Sequence, residues 1–454
     1  MSSFRSSRLT RLAGLVALAT FAGLVGCGGH TARTLQMRTS LDEGQPKAAI
    51  SSINDEIDVK SDKDLPSDIQ GDNALLVLDR ASIQQSLAQF PNSQRDFEAA
   101  DKAIDLLDLS RNASDSIAQY IFSDSAGRYK APPYEKLLIN TLNMINYLER
   151  GDLSGARVEA RRLSVMQRYV VDNLGQKDNP VIGLGGFLAG LSYEKSGQPD
   201  EALRFYDEAL AFQGFSSLRA PTRTLMQSTS YKSPRLNALA AEAPGRPVEQ
   251  TGEAEIILVV GYGRVPHKIA NRIPIGLALT YFSSAINPHD LEAANKLAVE
   301  GAAIWINYPT LAPGQGGYAI PAATVDGHSV GLEEAVDVEK QVRAEWHSIE
   351  GRVAASAITR AIARVGVGEG VKTVAGRDST VGFIAAIGSM IALTAADTPD
   401  TRSWETLPAR VAVTRVRVPA GKHTIRLDAR GVSRTAQVNV EKGGWSVVSL
   451  MALR

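Results

Sequence analysis

Four groups of residues in this chain stand at spacings that could do chemistry. The first is Leu24-Val25-Gly26-Cys27, a cysteine behind small residues with an aliphatic residue at −3. This is the lipobox pattern. Small neighbours let a signal peptidase close on the chain, and the cysteine thiolate takes a diacylglyceryl group. The second is Ser192-Tyr193-Glu194-Lys195, a Ser-x-x-Lys spacing that lets a lysine activate a serine one helical turn away. It sits inside a helical pattern with no Lys-Thr-Gly elsewhere, which makes it a coincidence of composition. The third, Gly261-Tyr262-Gly263, follows a strand but lacks the third glycine and the helix that would aim N–H groups at a phosphate. It reads as a structural turn. The fourth is Asp400, Arg402 and Trp404. Arginine with aspartate can form a buried bidentate pair, and tryptophan offers a large packing face, so these three read as a structural clamp.

The six histidines, His30, His267, His289, His328, His347 and His423, are scattered, with no pair at i, i+3 or i+4. His289-Asp290 and Asp326-Gly327-His328 could serve as base and orienter only if the fold brought them together. Cys27 is the only cysteine in 454 residues, which rules out an intrachain disulfide and a Cys-based metal site. No catalytic, cofactor or metal motif is therefore expected.

The leader gives an address. Arg5, Arg8 and Arg11 precede an uncharged run from Leu12 to Val25, too short for the roughly 20 residues that span a bilayer. It has the length of a signal-peptide core. Residues 1–26 are expected to be removed and the chain held by lipid on Cys27, with Gly28 at the next position favouring the outer membrane and a periplasmic face. Taking Arg5, Arg8 and Arg11 from the 49 basic residues leaves 46 against 49 acidic, a net charge of about −3. That balance argues against nucleic acid as a partner.

The elements that must position these residues fall into two halves. Residues 27–40 read as a tether and 41–214 as helices. Val181–Phe212 looks like a tetratricopeptide (TPR) repeat: Gly190 and Tyr193 precede the turn Ser196-Gly197-Gln198-Pro199, and Ala202, Tyr206 and Ala209 follow it. Tyr147, Gly151, Ala156 and Ala160 echo it, as do Gly44-Gln45-Pro46 and Phe90-Pro91. Residues 215–252, with four prolines, read as a linker. In 253–454, Glu255–Val260 reads as a buried strand and 303–309 as a second one ended by Pro309. Val338, Val342, Trp346, Ile349, Val353, Ala357, Ala361 and Val365 mark a long helix, with Asp337, Glu339, Lys340, Arg343 and Glu345 on its wet face. Val381–Ala396 is an uncharged stretch read as a buried helix. From about 408 to the end, Val411–Val418 with His423–Leu427, and Gln437–Val440 with Trp445–Leu450, read as antiparallel hairpins. The expected fold is a TPR-like helical solenoid followed by an α+β domain ending in sandwich-like β hairpins.

The Ile-Ile-Leu-Val-Val strand, Val265-Pro266-His267-Lys268, Ile306-Asn307-Tyr308-Pro309, Asp400-Thr401-Arg402-Ser403-Trp404 with Leu407-Pro408, and Pro419-Ala420-Gly421 together resemble a family of uncharacterised bacterial TPR-like lipoproteins. The resemblance covers most of 40–454 and implies a cell-envelope lipoprotein without implying an activity. The expectation is a non-enzymatic scaffold whose helical half offers a concave groove to another envelope protein or peptide. The rival readings are a structural subunit of an envelope or export complex, and a wall-modifying or hydrolytic enzyme with a site assembled from distant residues.

Overall fold

The computed structural model describes residues 29–106, 129–242, 253–299, 305–375 and 398–454. Cys27 with its lipobox, and Val381–Ala396, lie outside these residues. The architecture is α plus β, with helices in the first half and mixed sheets in the second.

The helical half is built from one repeated turn. After the short α1 (His30–Arg33) come four helical hairpins: α2 (Leu35–Asp42) with α3 (Pro46–Glu56), α4 (Asp72–Ser86) with α5 (Phe90–Ala103), α6 (Pro133–Glu149) with α7 (Leu153–Asp172), and α8 (Val181–Lys195) with α9 (Pro199–Ala209). Each first helix ends at a residue with positive φ: Gly44 (75°), Ala88 (56°), Gly151 (70°) and Gly197 (69°). The next residue's N–H returns to the carbonyl five positions back, Gln45 to Ser40, Gln89 to Gln84, Asp152 to Tyr147 and Gln198 to Tyr193, at 2.7–3.0 Å. This is the Schellman closure. Three of the four second helices then open with proline in the first turn, where no N–H is needed. A β-carbon on Gly190 would stand 2.4 Å from the Tyr206 ring, so α8 and α9 close only around a glycine there. Residues 30–40, expected as part of a tether, are largely helical because Met37, with Leu41 just beyond, finds apolar partners in the helical core. The stretch expected as a linker also holds structure: a 3₁₀ turn at Ser216–Leu218, α10 (Arg219–Leu225) and α11 (Pro234–Ala241), anchored by buried Leu218, Leu236 and Leu239.

Beyond a two-residue pair, β1 (Asp105–Leu106) with β2 (Lys130–Ala131), the strands are β3 (Ala254–Arg264), β4 (Lys268–Pro274), β5 (Trp305–Leu311), β6 (Ala322–Val325), β7 (His328–Val330), β8 (Glu333–Asp337), β9 (Pro408–Val418), β10 (Gly421–Ala429), β11 (Val432–Val440) and β12 (Trp445–Ala452). They form one sheet in the order β12-β3-β9-β8, a second in the order β11-β10-β6-β7, and a β4–β5 ribbon. Helices α12 (Ile275–Phe282) and α13 (Pro288–Val299) and the long α14 (Val338–Ala375) pack on that ribbon.

β3 explains the layering. Every residue in it is buried, and a strand with both faces covered reads as a continuous apolar run. Ile256, Leu258 and Val260 face the second sheet, where Ala323, Val325, Ile425 and Leu427 meet them. Ile257 and Val259, with Val411, Val413, Val447 and Met451, face the helices. Helices α4 and α6 lie against β12, and α8 against β8. The inner surface of the helical array, expected as a concave groove for a partner, is filled by the chain's own sheet.

The pairing of the last strands differs from the expected hairpins. β9 has β3 on one edge and β8 on the other, which leaves no edge for β10. The chain crosses at 419–420 into the second sheet, where β10 pairs with β11 through Arg430 (φ 49°) and Gly431 (φ 75°). Two successive left-handed residues are the mark of the twist-matched two-residue hairpin. β12 then crosses back to lie parallel to β3. β5 also continues past Pro309 to Leu311, because Pro309 stands in a two-strand ribbon and its missing donor breaks no ladder.

Candidate functional site

The residues singled out in the sequence gather along the seam between helices and sheet. Tyr206 is fully buried, and its hydroxyl donates to Glu194 Oε2 at 2.6 Å while accepting from Arg415 Nη1 at 2.9 Å. Arg415, on β9, spends all five N–H donors. Nε and Nη2 reach the two oxygens of Glu255 at 2.9 Å each, and Nη1 and Nη2 reach Glu194 at 2.9 and 2.7 Å. Lys195 Nζ adds an ion pair to Glu194 at 2.9 Å and another to Glu255. Although burial opposes it, the charge of Arg415 holds the carboxyls of Glu194 and Glu255 well below the usual range. The Ser-x-x-Lys spacing is absorbed here. Ser192 Oγ donates to the Leu188 carbonyl at 2.8 Å, and the Lys195 ammonium is engaged by the carboxylates of Glu194 and Glu255 rather than by the serine. Tyr193 stacks on Phe205 with ring centres 5.3 Å apart, and Ala202 and Ala209 are buried in the α8–α9 seam. In the hairpin before it, Tyr147 lies where a β-carbon on Gly155 would fall, with Ala156 and Ala160 buried beside it.

Asp400, Arg402 and Trp404 belong to an extended segment threaded between the halves. Arg402 binds Asp400 through two bonds of 2.8 Å and reaches Asp72 on α4 at 3.3 Å. Trp404 is fully buried, edge-on to Phe97 of α5 at 5.8 Å, and its indole N–H points at Ser82 and Thr406, each 3.1 Å away. Among the described residues, the backbone at 400–406 pairs with no strand. Helix carboxylates receive its amides: Glu135 takes Trp404 N at 3.1 Å, and Asp79 takes Glu405 N at 3.1 Å and Thr406 N at 3.0 Å. Glu405 in turn pairs with Arg38 of α2 at 2.6 Å. Burial pushes the carboxyls of Asp79, Glu135 and Glu405 upward, and the charge of Glu405 raises Asp79 further. His30 is buried with neither ring nitrogen bonded, and burial beside Arg33 holds it neutral at about 3.

Glu345, expected on the wet face of α14, turns inward toward this segment. Its Oε2 is enclosed without a partner, and burial together with the charge of Glu135 pushes its carboxyl up to about 8. A folded-state value above the ordinary glutamate range means that folding takes up a proton. The stability tied to Glu345 is therefore present at low pH and lost as pH rises through about 8. We expect Glu345→Gln to melt higher than the parent at pH 8 and level with it at pH 5. A difference that stayed constant across thermal melts from pH 5 to 8 would assign Glu345 to solvent.

The two histidine–aspartate pairs remain apart. Asp290 is bonded within its own region, by Thr359 Oγ1 at 2.7 Å and Asn287 Nδ2 at 2.7 Å. Asp326 binds His423, Nδ1 to Oδ2, at 2.7 Å, a pairing the sequence reading did not make. His423 Nε2 meets the Pro419 carbonyl at 2.8 Å. A carbonyl can only accept, so both ring nitrogens donate and the imidazolium is favoured, which raises its pKa. Gly263 keeps φ 69° at the end of β3, where a β-carbon would stand 2.4 Å from the Tyr318 ring.

An open cleft of about 580 Å³, which the sequence reading missed, lies on the outer side of the helical half between α7 and α9. Val171, Ile182, Phe205 and Phe212 give it an apolar lining, and Arg168, Glu201, Arg204, Glu208, Tyr231 and Arg235 supply its polar groups. Arg235 is held against Asp207 by bonds of 3.0 and 3.1 Å, while the Arg204 guanidinium lies 5.1 Å from the centre of the Tyr231 ring. Burial beside Asp207 pushes Glu208 up to about 7, so near neutral pH it both donates and accepts. Its lining comes from α7, α8, α9, α11 and the segments beside them, and no local pattern ties these together. Apolar ground among arginines and tyrosine is the composition of a polypeptide-binding centre. Comparison of the chain with protein-family models and with curated proteins finds no match.

Proposed function

We propose that this chain is a lipid-anchored protein of the bacterial cell envelope, held through Cys27 in the outer membrane and facing the periplasm. It acts as a non-enzymatic scaffold that binds another envelope protein or a peptide. The observation that carries the reading is the α7–α9 cleft. With the inner face of the helices taken by the sheet, this outer cleft is a concave surface open to a polypeptide. Its apolar lining supplies affinity, and its arginines and carboxyls select for charge.

A photo-crosslinking residue placed at Arg168, on the exposed side of α7, tests it in the native envelope. A small set of envelope proteins should be captured, and Arg204→Glu should abolish the adducts without changing thermal stability. Absence of adducts, or adducts indifferent to Arg204→Glu, overturns the cleft as the binding site. The anchor is read separately: the parent should incorporate labelled palmitate and Cys27→Ala should not, and no incorporation into the parent would remove the lipid from the proposal.

A further inference from the structure

The second half carries an exposed apolar tip that the core does not need. From Val265 to Asn287 there is no carboxylate, and from Ala302 to Val325 no charged residue of either sign. These stretches form the β4–β5 ribbon and α12. At the ribbon's far end, where Pro274 pairs with Trp305, three large apolar side chains face outward: Trp305 at 38 % exposure, and Leu277 and Tyr281, one helical turn apart on α12, at 43 % and 68 %. Arg272 lies with its guanidinium 5.2 Å from the centre of the Trp305 ring. The inward side of the same elements already has its partners, since Ile275, Leu279, Ile306 and Tyr308 pack with Ala354, Ala357 and Ile358 of α14.

We propose that this tip rests in the headgroup boundary of a phospholipid bilayer. Three observations select lipid as the occupant. Tryptophan and tyrosine with an arginine alongside, on two stretches that carry no acid, is the composition of an interfacial membrane contact. Arg272, an exposed charge at the tip, has the sign that anionic headgroups attract. The ribbon also starts at the anchored end of the chain. Thr31 Oγ1 donates to the Lys268 carbonyl at 2.7 Å, and Cys27 precedes Gly29 by two residues, a reach of about 7 Å. The seven residues of β4 then span about 23 Å to the tip, so a ribbon lying along the bilayer brings both anchor and tip to it. This last step rests on lipidation at Cys27.

The test uses the mature chain from residue 27 carrying Cys27→Ala, which leaves the tip as its membrane contact, with vesicles of phosphatidylethanolamine and phosphatidylglycerol. The chain should float with the vesicles. Trp305→Ser combined with Leu277→Ser and Tyr281→Ser should cut the bound fraction about tenfold at an unchanged melting temperature. Val165→Ser, at a 63 % exposed valine on α7, should leave flotation unchanged. A parent that does not float, or variants that float as the parent does, overturns the proposal. Self-association lost in the same triple variant, without flotation, also overturns it and makes the tip an interface between copies. Palmitate incorporated at Cys27 without flotation of the Cys27→Ala chain leaves the anchor standing and removes this contact. Flotation without palmitate incorporation leaves the contact standing and removes the anchor.

Discussion

Replacing Arg415 with methionine is expected to cost about 3–5 kcal/mol, the usual penalty for breaking a buried ion pair from one side. Arg415 is the junction between β9 and α8, and four of its five donors account for most of what satisfies Glu194 and Glu255. Without it the two carboxylates face each other under the single charge of Lys195, with the Tyr206 hydroxyl still donating to Glu194. Both carboxyls sit below the usual range in the folded chain, so their stabilisation is complete above the ordinary glutamate value and disappears as pH falls below it. In the variant those values rise, and the loss is greatest at neutral pH and narrows toward pH 4.5. Urea unfolding at pH 7.5 and 4.5 measures both quantities. A cost below about 1 kcal/mol, the range of exposed pairs, would mean that water reaches the cluster and that it does not lock helices to sheet.

That cluster shows why parts of this fold are legible in the sequence and others are not. The helical hairpins are local objects. Gly44-Gln45-Pro46 and Gly197-Gln198-Pro199 state the left-handed closing residue, its polar successor and the proline that opens the next helix within three positions. Strand identity is nearly as local, because burial on both faces makes Ile256–Val260 continuously apolar. Strand pairing is not local. Pro419-Ala420-Gly421-Lys422 looks like a hairpin loop between two strands, yet both edges of β9 are claimed by β3 and β8, residues far away in the chain. The real hairpin is signalled only by Arg430-Gly431. Helical periodicity likewise sorts α14 into two faces but cannot place Glu345, whose charged surroundings, Glu135 and Lys268, come from other parts of the chain.

The same distinction separates the seam from the cleft. Asp400, Arg402 and Trp404 stood out because a bidentate pair and an indole within five residues are unusual in a loop. Their partners, Asp72, Ser82, Phe97 and Glu135, carried no signal of their own. Arg415 was one of several basic residues in an alternating strand, and only the register that sets β9 against β3 on one side of the sheet explains its burial. The cleft residues come from successive outer helices and look, one at a time, like an ordinary solvated face.

Trp404→Ala should be the most damaging single change to the 400–407 segment. Removing a fully buried indole costs about 3–5 kcal/mol through lost burial and the cavity left behind. The loss falls on both halves at once, because Trp404 is packed on Phe97 while its own amide is held by Glu135 and the next two by Asp79. If the indole fixes the segment, those amides loosen with it, and hydrogen exchange should accelerate at 404–406 and in the facing turns of α4 and α6. Trp404→Phe separates the two contributions. It keeps most of the packing and gives up the N–H aimed at Ser82 and Thr406, at about 1 kcal/mol. Exchange confined to 404–406 in the alanine variant, with α4 and α6 protected as in the parent, would show that the helices hold their places without the segment. The segment would then be a passenger on the seam, and the Arg415 cluster with the packing of α4, α6 and α8 on β12 and β8 would be what joins helices to sheet.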